Sequence, residues 1–435
     1  MVKVKRNKLW TKDFTITIVG SFISMLGFAV TGYAFGLMVY EQTQSTFLYA
    51  LMTIVSILPQ LAAPVFAGAF FDRRSRRKAI YTIDFIYTAI YLIITLVLNK
   101  FGEINYFLYL AVLFLFGILN SYYMVAYDSF YPNIISPGNY SKAYSIGSLL
   151  YPIANVIMVP VAGFIYSSVG PVPLFAGATV LFLITAIVET QIKAHEPHLD
   201  MSNEELSNRP KLSASKQFAI DLKTGIDYLK KEKGLFTITA YFFCTMGAGA
   251  VMSTLFLPYT QSHLEIFKFE IFEKSVVWDA TILYSLIMAA NTLGRIIGGV
   301  FHYKRKIKPE KKFNTALFVY IALSFLDGAV LFMPTWYFMA LLQLVSGALA
   351  VTSFNIRISA TQNYVPDNIR ARFNATFQLL NAVGMIIGQL IGGALGEIFD
   401  PRFIVMFSMV FNLIAIFAIM YSRRKYVKAI YNCDI

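Results

Sequence analysis

Charge and cysteine are both scarce in this chain. Only 14% of its 435 residues are Asp, Glu, Lys or Arg, whereas 57% are hydrophobic, and the mean hydropathy is +0.60. Soluble domains carry about a quarter charged residues, so a soluble globular protein is excluded. The cysteines are Cys244, in an apolar run, and Cys433, in a basic tail. They supply no disulfide framework, no zinc-ligand spacing and no redox CxxC. The last residues, Asn432-Cys433-Asp434-Ile435, put the cysteine one place too late for prenylation. Histidine is rare as well: His195, His198, His263 and His302 all fall in loops or at the ends of apolar runs. His195-Glu196-Pro197-His198 has metal-like spacing without further ligands and reads as a solvated loop, so no metal or cofactor is expected. No GxxxxGK[ST] loop is present, which disfavours ATP as a direct energy source.

What the chain has in abundance is apolar length. Runs long enough to cross a bilayer lie at roughly 15–40, 46–71, 79–99, 103–128, 144–168, 173–194, 235–261, 277–301, 314–333, 335–361, 374–399 and 400–422. These are twelve expected spans of a polytopic helix bundle, because lipid leaves no other way to satisfy the backbone. The first run is too long for a signal-peptide core and lacks a small-residue cleavage site, so it reads as a retained first helix. Of the 37 Lys and Arg, 31 fall in the N-terminal segment, the even-to-odd loops and the tail, and only Lys100, Lys268, Lys274 and Arg402 fall in the other loops. The positive-inside rule therefore places both termini in the cytoplasm of a multi-pass cell-membrane protein. The net charge of +13 is the sum of those inner loops and indicates no nucleic-acid surface.

The chain repeats itself. Gly68-x-x-x-Asp72-Arg73-Arg74 corresponds to Gly299-x-x-x-Tyr303-Lys304-Arg305, Tyr131-Pro132-Asn133 to Val365-Pro366-Asp367, and Gly163 with Pro171 to Gly393 with Pro401. Residues 1–194 and 235–435 thus read as two six-helix bundles related by duplication. The polar stretch 195–234 reads as a cytoplasmic linker. Within it, Phe218, Leu222, Ile226 and Leu229 fall on one face of an amphipathic helix expected to lie on the inner leaflet.

Gly68-x-x-x-Asp72-Arg73-x-x-Arg76-Arg77, between spans 2 and 3, resembles the loop signature of the major facilitator superfamily, with Ser75 where the common pattern has glycine. Asp84 in span 3, Tyr131-Pro132-Asn133, Asp221-x-x-x-Gly225-x-x-Tyr228-Leu229 and Val365-Pro366-Asp367-x-x-Arg370-x-Arg372 are similar to the branch of macrolide efflux proteins and the enterobactin exporter. Proton-driven drug exporters often carry Gly-Pro-x-x-Gly-Gly in span 5; Val159-Pro160-Val161-Ala162-Gly163-Phe164 keeps only its Pro160 and Gly163. The resemblance implies an all-α membrane protein of twelve transmembrane helices in two six-helix pseudo-repeats. It also implies a non-enzymatic transporter working by alternating access.

The motif has its own physics. Gly68 lies one turn before Asp72, where a missing side chain lets another helix come close. Asp72 is expected to face the positive end of span 11, with Arg73, Arg76 or Arg77 neutralising it, each partial interaction contributing on the order of 0.3–2 kcal/mol. Present in only one conformation, that contact is a latch. Tyr303 in the second copy cannot take the acid's part.

Acids inside spans are costly and so are functional candidates. Glu189 has Lys193 at i+4 and reads as an interfacial pair. Asp84 and Asp128 lie toward the expected cytoplasmic surface and suit gating or structural roles beside the basic loop. Asp279 is placed to cap span 8, and Glu397 closes span 11. Asp327 lies well inside span 9 with no base within two turns, and is the candidate for proton coupling. The fold analogy points to a cavity lined by spans 1, 4, 7 and 10, with Tyr33, Asn120, Ser121, Tyr123, Thr245, Met246, Gln343 and Ser346 as candidates. Aromatic, Met and amide groups suit a bulky amphiphile.

The expected protein is thus a monomeric, proton- or cation-coupled exporter of a hydrophobic or amphiphilic small molecule, an antiporter of the drug-resistance type whose partners are its substrate, protons and the bilayer. An importer or siderophore exporter of the same fold, and a non-transporting receptor or immunity factor, remain as alternatives. The orientation has a direct check: a cysteine at Thr43 is expected to react with an impermeant maleimide added outside cells, and one at Lys308 to stay unreactive. The opposite labelling pattern would invert the topology.

Overall fold

The computed structural model describes residues 8–71, 74–136, 139–196, 199, 214–271, 274–304 and 307–432. Six long helices come first: α1 (Lys12–Thr43), α2 (Thr46–Phe71), α3 (Arg76–Phe101), α4 (Tyr106–Ile134), α5 (Tyr140–Val169) and α6 (Val172–Glu189). After α7 (Ala214–Lys231) and α8 (Lys233–His263) a hairpin intervenes, β1 (Phe267–Ile271) with β2 (Lys274–Trp278). The chain continues as α9 (Ala280–Lys304), α10 (Lys312–Ala329), α11 (Trp336–Tyr364), α12 (Asp367–Gly396), α13 (Pro401–Ala415) with a π-helical turn at Ile416–Tyr421, and α14 (Arg424–Tyr431). Among the described residues, twelve helices are long and apolar enough to cross a membrane: α1 to α6 and α8 to α13.

Local chemistry sets the ends of these spans. Ser75 caps α3 by accepting from Lys78 N–H, and α3 stops at Gly102, whose φ of 77° belongs to the left-handed region that glycine tolerates. Asn105 accepts from Phe107 N–H to open α4. Asp279 accepts from Ile282 N–H at the start of α9, and Asp400 from Arg402 N–H before α13. Helix α6 ends at Glu189, short of the 194 that apolarity alone implies.

The helices gather into two compact units, residues 1–35 with 55–217 and residues 36–54 with 218–435. The first is centred on interlocking rings: Tyr91 stacks at 5.2 Å on Phe182, which also meets Phe28 edge-on at 4.8 Å. The second is held by glycine seams. Lipid supplies no hydrophobic drive between helices, so close backbone approach has to supply the attraction. Gly294 and Gly298 of α9 lie against Leu344 and Ala348 of α11, and Gly347 of α11 lies against the Asn291 carbonyl; Gly384 and Gly388 of α12 meet the carbonyls of Phe243 and Gly247 on α8.

Two features depart from the sequence reading. The hairpin, in register Phe267↔Trp278 to Ile271↔Lys274, was not expected; Trp278 packs on Phe269 at 4.8 Å and on Trp336 at 5.7 Å, an aromatic group of the kind that favours a membrane surface. Helix α7 is amphipathic as expected, and it also packs against α12, a contact the sequence reading did not anticipate. Leu229 is buried, Gly225 lies against Arg372 and Thr376 of α12, and Arg372 Nε reaches Asp221 Oδ1 at 2.7 Å.

A Cβ at Gly347 would run into the α9 backbone, so Gly347→Val is expected to cost about 1–3 kcal/mol. At Gly177 a Cβ meets nothing within 4 Å, and Gly177→Ala is expected to stay within about 0.5 kcal/mol of wild type. Unfolding midpoints in detergent compare the two; equal midpoints would contradict the seam.

Candidate functional site

A cavity of 740 Å³ opens inside the first unit, walled by α1 to α5. Its polar wall includes Ser21, Ser24, Asn120, Tyr123 and Asp128; among the described residues no Lys or Arg lines it. Four-residue spacing on α4 puts Tyr123, Tyr127 and Tyr131 on one face. Their rings stack at 5.9 and 5.2 Å, within 20° of parallel. The foot of the ladder is fixed, since Tyr131 donates to the Ala143 carbonyl at 2.8 Å. Asn120 and Tyr123 line this cavity, whose walls are α1 to α5 and not the spans 1, 4, 7 and 10 of the sequence reading. Tyr33 is half-buried on α1 outside that lining, and the Ser121 hydroxyl turns back to the Gly117 carbonyl. Asp128 is exposed at the cavity wall and makes no hydrogen bond among the described residues.

Behind this wall the structure joins two acids that the sequence reading kept apart. Asp84 of α3 and Glu189 of α6 are both 0% exposed, and their carboxyls lie within electrostatic reach of each other. None of their four oxygens has a hydrogen-bond partner among the described residues. Glu189 has room because Gly20 of α1 lacks a side chain; a Cβ there would come within 2.7 Å of Glu189 Oε1. The expected Glu189–Lys193 pair is therefore corrected. The i+4 rule needs the helix to continue, but α6 ends at Glu189, whose carboxyl oxygens find no hydrogen-bond partner among the described residues, and the backbone N–H of Lys193 donates to Asp13 Oδ1 at 3.0 Å. Asp84 likewise meets this acid and not the basic loop.

Around the basic motif, Asp72 and Arg73 lie outside the described residues. Arg76 and Arg77 use their guanidinium groups on the carbonyls of Ser129, at 3.2 Å, and Ile192, at 2.8 Å. Glu196, expected in a solvated loop, is 5% exposed. It accepts from the Ser75 hydroxyl and from Arg76 N–H, capping α3 where the helix dipole favours an acid. His198 lies outside the described residues. A Cβ on Gly68 would meet nothing within 4 Å among the described residues, so no close helix crossing uses it in this structure.

In the second unit, Asp327 of α10 accepts from Ser346 of α11 at 2.7 Å, with Arg295 of α9 in electrostatic reach. The base missing from its own helix thus comes from a neighbouring one. Arg295 Nε donates to Asn291 Oδ1 at 3.1 Å and Asn291 Nδ2 to Gln343 Oε1 at 2.8 Å, so Gln343 belongs to this interhelical network. Thr245 donates to Asn412 at 2.9 Å and Asn412 to Ser324 at 2.9 Å, while Met246 packs against the apolar core of the same unit. Thr245 and Met246 are thereby placed in helix packing. Also in this unit, Glu397 accepts from Ser45 Oγ at 2.6 Å and Phe47 N–H at 2.8 Å, with a longer bond from Thr46 Oγ1 at 3.2 Å. Partial burial pushes the Glu397 carboxyl up, but these donors together hold it below the usual glutamate range.

The family model for the Major Facilitator Superfamily matches residues 17–327. A Bacillus subtilis (strain 168) protein described as the uncharacterized MFS-type transporter YkuC is 22% identical over 329 residues, 73% of this chain and 70% of that protein. Among solved structures, the nucleoside transporter NupG superposes with a TM-score of 0.65 at 15% identity, over 94% of this chain and 98% of that one. The peptide transporter POT in complex with sulfate gives 0.71 at 12% identity, over 98% and 97%. At these identities the likeness of the two structures is one of fold.

Because folding depresses the Glu397 value, its contribution to stability is full above the ordinary 4.5 and is lost as pH falls through the depressed value. Glu397→Gln keeps the shape and removes the charge. The expected result is a lower melting temperature than wild type at pH 7, the gap closing as pH drops below that ordinary value. A gap that persists unchanged into acid would mean that the charge does not stabilise the start of α2.

Proposed function

The chain belongs to the Major Facilitator Superfamily, and from that membership of a secondary-transporter family we propose that it exports a hydrophobic or amphiphilic small molecule by alternating access, coupled to a proton or cation gradient. The observation that carries the reading is the 740 Å³ cavity of the first unit, whose lining among the described residues joins a tyrosine ladder and Phe28 to a few amide and hydroxyl groups and holds no base. Such a wall binds by area and ring stacking and demands no fixed charge on the ligand. Asp128 at its edge favours neutral or cationic molecules over anions.

In this reading residues 1–194 and 235–435 act as two bundles joined by 195–234, in a cell-membrane monomer with both termini cytoplasmic. Gly68, Asp72, Arg73, Arg76 and Arg77 act as a conformational latch. Asp327 exchanges the coupled proton. With Ser346 and Arg295 beside it the carboxylate is a stable resting form; when Arg295 withdraws, the buried charge becomes costly and takes up a proton.

Ethidium, an amphiphilic cation, is a suitable probe in reconstituted vesicles. An imposed pH gradient is expected to drive its movement, and a protonophore to abolish it. Asp327→Asn is expected to lose gradient-driven ethidium movement while ethidium binding, read by its fluorescence, stays within about twofold of wild type. Full gradient-driven transport in that variant would remove Asp327 from the mechanism.

A further inference from the structure

We propose that Asp84 and Glu189 form a proton-binding pair: in the closed bundle they hold one shared proton between their carboxyls, and they release it to water that enters the neighbouring cavity. The link to transport rests on the reading above; the existence of the pair does not.

Two carboxyl groups side by side and out of water can bond to each other only if one of them carries a proton. Asp84 and Glu189 lie within electrostatic reach of each other, both 0% exposed, with no hydrogen-bond partner among the described residues for any of their four oxygens. Among the described residues, the elements around them bring no compensating charge. Helix α1 presents Gly20, Ser21 and Ser24; α3 itself adds the phenol of Tyr87; α4 adds those of Tyr123 and Tyr127. Of the bases on α3, Arg76 and Arg77 point to the carbonyls of Ser129 and Ile192, and Lys78 and Lys100 are exposed. Two ionised carboxylates here would place like charges side by side out of water, the arrangement that aspartic-protease dyads avoid by keeping a proton. Glu189 also ends α6, where the negative end of the helix dipole opposes a second negative charge.

Position gives the pair a purpose. Ser21, Ser24, Tyr87, Tyr123 and Tyr127 all line the 740 Å³ cavity. The hydroxyls of Ser21, Ser24 and Tyr123 are buried and lack a hydrogen-bond partner among the described residues. They stand ready to relay the proton from the pair to cavity water, as hydronium, leaving two carboxylates that the entering water then solvates. No other bond is made or broken. An occupant that dries the cavity would favour the shared proton, and a wet cavity its loss, so ligand and proton would sense each other across one wall.

Infrared spectroscopy of the full chain in detergent, without any substrate, tests the pair. Wild type is expected to show the carbonyl-stretch band of a buried, protonated carboxyl at neutral pH. Asp84→Asn and Glu189→Gln are each expected to lose one carboxyl's worth of that band, because the new amide donates to the remaining carboxylate, whereas Asp327→Asn leaves the Asp84–Glu189 contribution in place. Should a single variant fail to fold, Asp84→Asn/Glu189→Gln provides an uncharged pair of the same shape for the same subtraction. No protonated-carboxyl band in wild type, or a band undiminished in the variants, would overturn the proposal. A band that behaves as expected, without gradient-driven ethidium movement, would count against the transport reading alone.

Discussion

A carboxyl group taken out of water must keep a proton or bring a partner with it. The acids of this chain meet that condition in four ways. Asp84 and Glu189 turn to each other. Asp327 takes a hydroxyl and the neighbourhood of a guanidinium. Glu196 takes the opening turn of α3, and Glu397 that of α2. The last two stabilise a fixed negative charge, while the Asp327 carboxyl is the one proposed to exchange a proton. Only the first places acid against acid with no cation among the described residues.

Much of the fold was legible because membrane insertion imposes a one-dimensional rule. Twelve long apolar runs separated by polar loops leave little choice of architecture, and α2, α8 and α11 run within about three residues of the limits that apolarity gives. The hairpin was missed for a reason visible afterwards. Phe267, Phe269 and Ile271 alternate with Lys268 and Glu270, a period of two over one short strand, but the adjoining Val276–Val277 stretch merged with the apolar run that follows. Helix α7 showed its stripe plainly; what the stripe met was not visible, because Gly225 and Asp221 find Thr376 and Arg372 only after the chain has folded back.

The site was legible in proportion to how local its chemistry is. Asn120 and Tyr123 came from the analogy of fold, and four-residue spacing on that single span could have revealed the ladder through Tyr127 and Tyr131. Glu189 was misread by a local rule applied past the end of its helix. Its true neighbours, Asp84 and Gly20, lie on two other helices far away in sequence, and nothing in the residues around position 189 points to them. Arg295 reaches Asp327 in the same non-local way. Hydropathy locates a span along the membrane normal; it says nothing about how the span is rotated about its own axis, and rotation decides which acids meet.

The glycine seams of the second unit bear on how that unit deforms. Where backbone lies directly on backbone, as between Gly347 and Asn291 or Gly388 and Gly247, no side chain intervenes that could change rotamer. Such a contact cannot creep: it holds or it parts. Helices α9 and α11 therefore behave as a welded strut, as do α8 and α12, and any compliance in this half must come from surfaces padded with side chains, such as the rings of Phe242 and Phe377 around Arg357.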